Sequence, residues 1–300
     1  MKPIFRKNIK KAFSLIELSI VILIIGILVA GVTSSSRLIS RMRIITAQSL
    51  TRSSDVNTIR DISFWVETSL DQALTNSAGS FDLENAQAIS SWNGINPQSS
   101  FKINVTQSNT ARQPTYRTDG INGIPSVNFN GSQILENTAN MPIPVGDKNY
   151  AYVVVWRANS VTAGGQMLVS QGIPGSNGSR LSSIMIATNN YGFAGDMNDF
   201  YSPAVQANTP YVTIMNVNNN LATGNIIIYT NSNTAISGTT GGGSASLNVG
   251  GVAFAVGGRL YEQFFGGLIS EVIVFDRNLN SEEIVSINRY LGKKYNIKIN

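Results

Sequence analysis

Residues 10 to 32 read KKAFSLIELSIVILIIGILVAGV, and from Phe13 to Val32 this stretch is apolar or small except for Ser14, Glu17 and Ser19. At roughly 20 residues, the span is long enough to cross a bilayer as a helix. Glu17 is its only charge. A carboxylate at that depth costs about 2.5 to 3.5 kcal/mol on insertion scales, so a plain anchor would avoid it. The acid therefore calls for a positive partner, and an amino terminus created by cleavage before Phe13 on another copy of the chain would supply one.

Two simpler readings stay open on these residues. The basic leader and the small residues Ala30, Gly31 and Ser34 to Ser36 are compatible with an ordinary secretory signal, although the apolar region is longer than the usual 7 to 15 residues. An uncleaved anchor is the other.

The residues Lys11, Ala12, Phe13, Ser14, Leu15, Ile16, Glu17 and Leu18 resemble the processing signature of type IV prepilins and type II secretion pseudopilins. The resemblance implies a prepilin peptidase that cuts between Ala12 and Phe13 and methylates Phe13. It also implies that Glu17 neutralises a neighbouring subunit's amino terminus during filament assembly. Two positions depart from the pattern: Ala12 stands where glycine is usual, and Ser34 where major pilins carry a helix-bending proline. The second points to a minor pilin or pseudopilin.

Charge supports the same topology. The chain has 22 basic and 17 acidic residues, but five of the basic ones, Lys2, Arg6, Lys7, Lys10 and Lys11, lie in the acid-free leader. Without them the chain is neutral, and a general nucleic-acid surface loses its electrostatic basis. The leader instead holds the amino end in the cytoplasm by the positive-inside bias. The expected location is a bacterial inner membrane, single-pass, with the head periplasmic and later carried on a pilus or pseudopilus. There is no cysteine and no histidine, which removes disulfide staples, zinc sites of the His or Cys type and His-containing triads.

Nothing from Thr33 to Thr51 is proline or glycine, so the helix is expected to continue as a stalk through Leu50. The composition turns polar around Ser53 to Asn57. The expected organisation is a leader at 1–12, a transmembrane and stalk helix at 13–57, and a head at 58–300. In the head, short apolar runs alternate with turns rich in Gly, Asn, Ser and Thr, which reads as an all-β sandwich. Nine strands are expected: Ser63 to Glu67, Ser126 to Asn130, Tyr150 to Trp156, Met167 to Ser170, Ser183 to Ala187, Tyr211 to Val217, Ile226 to Tyr229, Ala253 to Val256 and Leu268 to Phe275. The run Ile226 to Ile228 reads as buried on both faces. A late helix is marked by Asn280 as cap, Glu283 three residues on, the stripe Ile284, Ile287 and Leu291, and Gly292 near its end. The Gly-rich run Gly238 to Gly251 reads as a flexible loop.

The segments Ser63 to Ser69, Arg112 to Leu135 and Gly267 to Ile297 resemble laminin-G-like, or concanavalin-A-like, jelly-roll domains. The fold class expected is thus α+β overall: a long amino-terminal transmembrane pilin helix, an all-β jelly-roll sandwich and a short carboxy-terminal helix. That sandwich hosts glycan binding, protein adhesion, hydrolysis and structural roles alike.

Glycoside hydrolysis needs two carboxylates across a cleft, one of them protonated. No convincing pair stands out: Glu271 has Ile273 and Phe275 at the next same-face positions, while Glu282 and Glu283 suit a helix start. The chain is read as no enzyme. The loop from Tyr191 to Tyr201 is the candidate ligand site, with Asp196, Asn198 and Asp199 as oxygen donors for calcium and Tyr191, Phe193 and Tyr201 as flat faces for a sugar. The alternative is a surface turn whose acids bond their own backbone while the aromatics enter the core. The expected function is a minor pilin or pilin-like subunit presenting a lectin-like head to a surface glycan or protein. The alternative is a structural minor pilin or pseudopilin that caps or primes a filament without its own ligand. Partners are other pilin or pseudopilin subunits, the peptidase and the inner membrane, with no nucleic acid.

Overall fold

The computed structural model describes residues 15–174, 181–195, 199–218, 226–238, 247–260 and 262–300. The chain divides into two compact units, Met1–Arg43 and Ile44–Asn300. In the first, the described residues belong to helix α1 (Leu15–Arg52), 38 residues long and unbroken through position 34, where the missing proline removes the usual cause of a kink. It is the helix long and apolar enough to cross a membrane, and its side chains from Leu15 to Val32 are exposed.

The second unit takes in the last turns of α1, which the sequence reading gave to the stalk. A 3-10 turn (Asp55–Thr58) capped by Ser54 follows. Then come seventeen strands among the described residues: β1 (Ile62–Glu67), β2 (Leu74–Thr75), β3 (Ser91–Trp92), β4 (Val105–Thr106), β5 (Thr115–Ile121), β6 (Ile124–Asn130), β7 (Leu135–Asn137), β8 (Tyr150–Ala158) and β9 (Gln166–Gln171), then β10 (Ser182–Ala187), β11 (Asn190–Ala194), β12 (Phe200–Ala204), β13 (Tyr211–Val217), β14 (Ile226–Thr230), β15 (Ile236–Gly238), β16 (Phe254–Val256) and β17 (Gly266–Phe275). Helix α2 (Ser281–Lys294) closes the chain.

The strands form two antiparallel sheets packed as a sandwich of jelly-roll type. One runs β15-β14-β13-β8-β17-β6-β5, with β1 added on the β6 side of β17; the other runs β12-β11-β10-β9-β16-β7-β4-β3-β2. All nine expected strands are present. The β5–β6 hairpin turns on Asn122 (φ 51°) and Gly123 (φ 82°), the Asn-Gly pair that a two-residue hairpin favours.

The first sheet is buried on both faces. In β8 the large residues Tyr150, Tyr152, Val154 and Trp156 face the second sheet, while the alternate residues Ala151, Val153 and Val155 face α2 and the segment from Ala47 to Ile62. Ile284, Ile287 and Leu291 of α2 pack on that outer face, and the Asn280–Glu283 capping box is formed in both directions. The helix runs past Gly292 to Lys294, and in its final turn Leu291 and Lys294 are buried while Lys293 is exposed. Ile226 and Ile228 are buried but Ile227 is only half-buried, which corrects the expectation of burial on both faces: β14 lies next to the edge strand β15. Of the Gly238 to Gly251 run, 239–246 lie outside the described residues, while Leu247 and Val249 enter the core.

Candidate functional site

The helix places Glu17 in its first turn, exposed among the apolar side chains of the span. Ala12 and Phe13 lie outside the described residues.

The sequence-predicted ligand loop is mostly core. Tyr191 and Phe193 lie on β11 and are fully buried, so neither ring offers a face to a sugar. Tyr191 packs edge-on against Trp156 at 5.3 Å, and its hydroxyl lies 2.9 Å from Thr213 Oγ1 and 2.6 Å from Thr230 Oγ1. The alternation of Tyr191, Gly192, Phe193 and Ala194 is a strand pattern, not a loop pattern, and this corrects the stacking role given to those two aromatics. Asp199 Oδ1 accepts from the Gly195 amide at 3.0 Å, a local turn contact. Tyr201 is half-buried on β12, and burial, followed by the Asp199 carboxylate, pushes its phenol up. Asp196 and Asn198 lie outside the described residues, so of the three expected calcium donors only Asp199 is among them.

A different cluster of charge sits on the outer face of the first sheet. Glu67 and Glu271 are Cα partners across β1 and β17, and both side chains are completely buried together with that of Lys294. Lys294 Nζ lies 2.8 Å from an oxygen of each carboxylate. The other oxygen of Glu271 accepts from Trp65 Nε1 at 2.8 Å and Tyr290 Oη at 2.9 Å; Tyr295 Oη adds a bond at 3.0 Å. Glu67 accepts from the backbone amides of Ser69 and Leu70 at 2.7 and 2.6 Å. Thr51, in the last turn of α1, lies 3.1 Å from Tyr290 Oη.

Local backbone geometry explains how Glu271 reaches this cluster. In β17, Ile269 faces the sheet-to-sheet core, yet Val272 and Val274 share that side while Ile273 and Phe275 face α2. The register against β8 shifts between Ile269 and Glu271, a bulge that reverses the facing of the strand and turns Glu271 towards Lys294. Burial raises the Glu67 carboxyl, but the Lys294 charge and hydrogen bond, with those of Ser69, outweigh it and hold the group below the usual carboxylate range. Burial alone would lower Lys294; the charges of Glu271 and Glu67 raise it well above the ordinary lysine value. The cluster is thus a carboxylate pair that the sequence did not reveal, but one that is bonded to Lys294 and sealed from any substrate. A general acid must reach the proton acceptor, and neither glutamate can.

Open surface lies elsewhere in the same unit, in three adjoining clefts of about 400, 730 and 490 Å³. The first lies between Ile44 and Gln48 of α1 and the turn after β1, with Phe81 and Tyr116 in its wall. Gln48 Nε2 donates to Ser69 O and Asp71 Oδ1 at 2.8 and 2.9 Å, fixing one side of it. The second shares Leu70, Asp71 and Phe81 with the first and continues to Asn93, Lys102 and Asn104. The third shares Lys102 and Asn104 and ends on Phe101 and Glu136. Sequence reading missed all of these residues. The available signal was the isolation of Phe81 and Phe101 in polar, Ser-rich stretches.

A helix of membrane-spanning length leads into an antiparallel sandwich, and the chain's amino end carries a motif with known relatives. Residues 7–33 match the family described as the prokaryotic N-terminal methylation motif, so the chain carries the prepilin-type processing signature. A comparison with curated proteins yields no match. Among solved structures, the chain is similar to a GH54 α-L-arabinofuranosidase at 9% identity and TM-score 0.56, covering 78% of this chain and 63% of that one. It is also similar to Trypanosoma rangeli sialidase at 9% identity and TM-score 0.50, covering 78% of this chain but 33% of the sialidase. Domain 4 of AbnA, a GH43 extracellular arabinanase from Geobacillus stearothermophilus solved with arabinotriose, matches at 13% identity and TM-score 0.48, over 76% of this chain and 98% of that domain. The chain spans about a third of the sialidase and less than two thirds of the arabinofuranosidase. At these identities the likeness is one of fold.

Proposed function

We propose that the chain is a minor pilin or pilin-like filament subunit whose β-sandwich head binds a surface glycan or protein. The observation that carries this reading is the methylation motif at residues 7–33 seated on a helix of membrane-spanning length that runs on into the head. The basic leader keeps the amino end cytoplasmic and the head periplasmic until assembly. Ala12 and Phe13 are the processing site, and Glu17 the assembly acid. The head acts by binding rather than catalysis: Glu67 and Glu271 are sealed around Lys294, while the open clefts present aromatic rings and mixed polar groups.

The test is fractionation of a host with pilus machinery after shearing. The chain should appear in the filament fraction only when prepilin peptidase is present. Recovery solely as a soluble protein starting near Gly31 would replace this reading with the signal-peptide one.

A further inference from the structure

We propose that the trough formed by the three joined clefts binds a neutral oligosaccharide, with Phe81 and Phe101 as stacking platforms and Glu136 as the acceptor that anchors sugar hydroxyls. The proposal deepens the ligand-binding reading of the head and rests on it.

The two rings come from the connections that leave β2 and β3, and they remain 47% and 61% exposed. Covering a phenyl ring with apolar surface is favourable, so two uncovered rings along one trough are available binding energy. Sugar rings carry apolar C–H faces bounded by hydroxyls, and an aromatic face beside fixed acceptors and donors is the surface that matches them.

Glu136 supplies the second observation. Glu136 lines the third cleft, and its Oε2 is enclosed with no hydrogen-bond partner among the described residues, so turning the carboxylate to meet a ligand hydroxyl breaks no bond at that oxygen. Leaving a buried acceptor unbonded is unfavourable, more so when it is charged, and a ligand hydroxyl would remove that cost. Thr106 and Ser108 add hydroxyls beside it, and Asn104 an amide. This mixture suits a ligand that both donates and accepts along its length.

Charge selects the class of glycan. The trough is lined by Asp71, Asp82 and Glu136 against Arg52 and Lys102. Such a surface does not attract a polyanion, so sulfated or uronate-rich chains are poor candidates. Each cleft falls within the size range of small-ligand sites, and their shared walls fit a chain of linked units better than a single one.

The experiment uses the full chain in detergent micelles. Neutral hexasaccharides of glucose, galactose, mannose, xylose and arabinose are screened on an array, and hits are measured by calorimetry, with heparin as the polyanionic control. At least one neutral sugar should bind, heparin should not, and Phe101→Ala and Glu136→Gln should each weaken binding by about tenfold or more. Val285→Ala, on the exposed side of α2 and outside the three clefts, should leave it unchanged. Phe101 is exposed and the Gln replacement keeps the shape of Glu136, so unchanged melting temperatures separate lost contacts from lost folding. Binding that survives both trough variants overturns the site but keeps the glycan-binding head. Binding of heparin alone overturns the neutral class while keeping a glycan-binding head, and binding of no sugar overturns the site and leaves the head only its protein-binding reading.

Discussion

Glu67 and Glu271 stand opposite one another in neighbouring antiparallel strands, and one buried ammonium, Lys294, bridges them at 2.8 Å on each side. Like charges directly across a sheet repel, and two carboxylates without water would be costlier still. Lys294 cancels one of them; the hydroxyls of Tyr290 and Tyr295, the Trp65 indole and the Ser69 and Leu70 amides spread the remaining charge. The arrangement ties β1, β17 and α2 to one another, and Thr51 brings in the last turn of α1. The joint is therefore a fixed point of the compact unit, built from residues far apart in sequence.

Removing the ammonium should expose that dependence. Lys294→Met leaves two carboxyl groups buried face to face without their counter-charge and should destabilise the unit by about 3 to 5 kcal/mol. Thermal unfolding of the full chain in detergent, followed by tryptophan fluorescence, measures it. Combining Lys294→Met with Glu67→Gln and Glu271→Gln should recover much of the loss, since neutral groups of similar shape carry no uncompensated charge. A wild-type midpoint for Lys294→Met alone would show that the cluster does not hold the unit together.

The same cluster fixes a pH response. Glu67 is held below its unfolded value of about 4.3, so its contribution is present above that pH and lost as pH falls through the lower folded value. Lys294 is held above its unfolded value of about 10.4, so its contribution is complete below that pH and lost as pH rises through the higher folded value. The pair thus contributes a plateau from about pH 5 to 10. In Lys294→Met the charge that outweighs burial at Glu67 is gone, so burial raises that carboxyl and the sign reverses: acidification from about pH 7 to 5 should raise the melting temperature of the variant but not of the wild type. Parallel curves for the two proteins would remove Lys294 as the cause.

What the sequence made legible follows from how far each signal reaches. Strands such as Tyr150–Ala158 and Tyr211–Val217 carry their own apolar runs and stand where the pattern puts them. Leu74–Thr75, Ser91–Trp92 and Val105–Thr106 are two residues each, too short to show a period, and they form the sheet margin that frames the clefts. Tyr191 and Phe193 misled because glycine and polar neighbours resemble a loop, whereas Gly192 is required there: a side chain would meet the Phe200 carbonyl. Glu271 was read on the right face with Ile273 and Phe275, but its partners Glu67 and Lys294 follow from strand register and helix docking, which no local window contains. The processing motif was legible because its meaning lies in a contiguous stretch.

Processing is the next test. Expressed with a prepilin peptidase, the chain should lose residues 1–12 and carry one added methyl group on Phe13, read by intact mass and amino-terminal fragmentation. Without the peptidase the mass should remain that of the uncleaved chain. Replacing Ala12 with glycine, the residue usual in the resembled signature, should speed cleavage. A methyl-free terminus elsewhere would exclude pilin-type maturation.

Glu17 gives the last prediction. It lies in the first turn of α1, within a span whose other side chains are apolar or small, and a carboxylate at that depth is tolerated where it meets a positive charge. If the freed amino group of Phe13 on a neighbouring subunit supplies that charge, the acid serves assembly and not the folding of a head that begins 27 residues further on, at Ile44. Glu17→Ala should then keep the membrane-fraction yield and the melting temperature of the head, while recovery in sheared filaments falls by about tenfold. Glu17→Asp, which keeps the charge on a shorter arm, should fall between the two. Loss of membrane insertion would assign the acid to helix placement instead, and undiminished filament recovery would remove it from assembly.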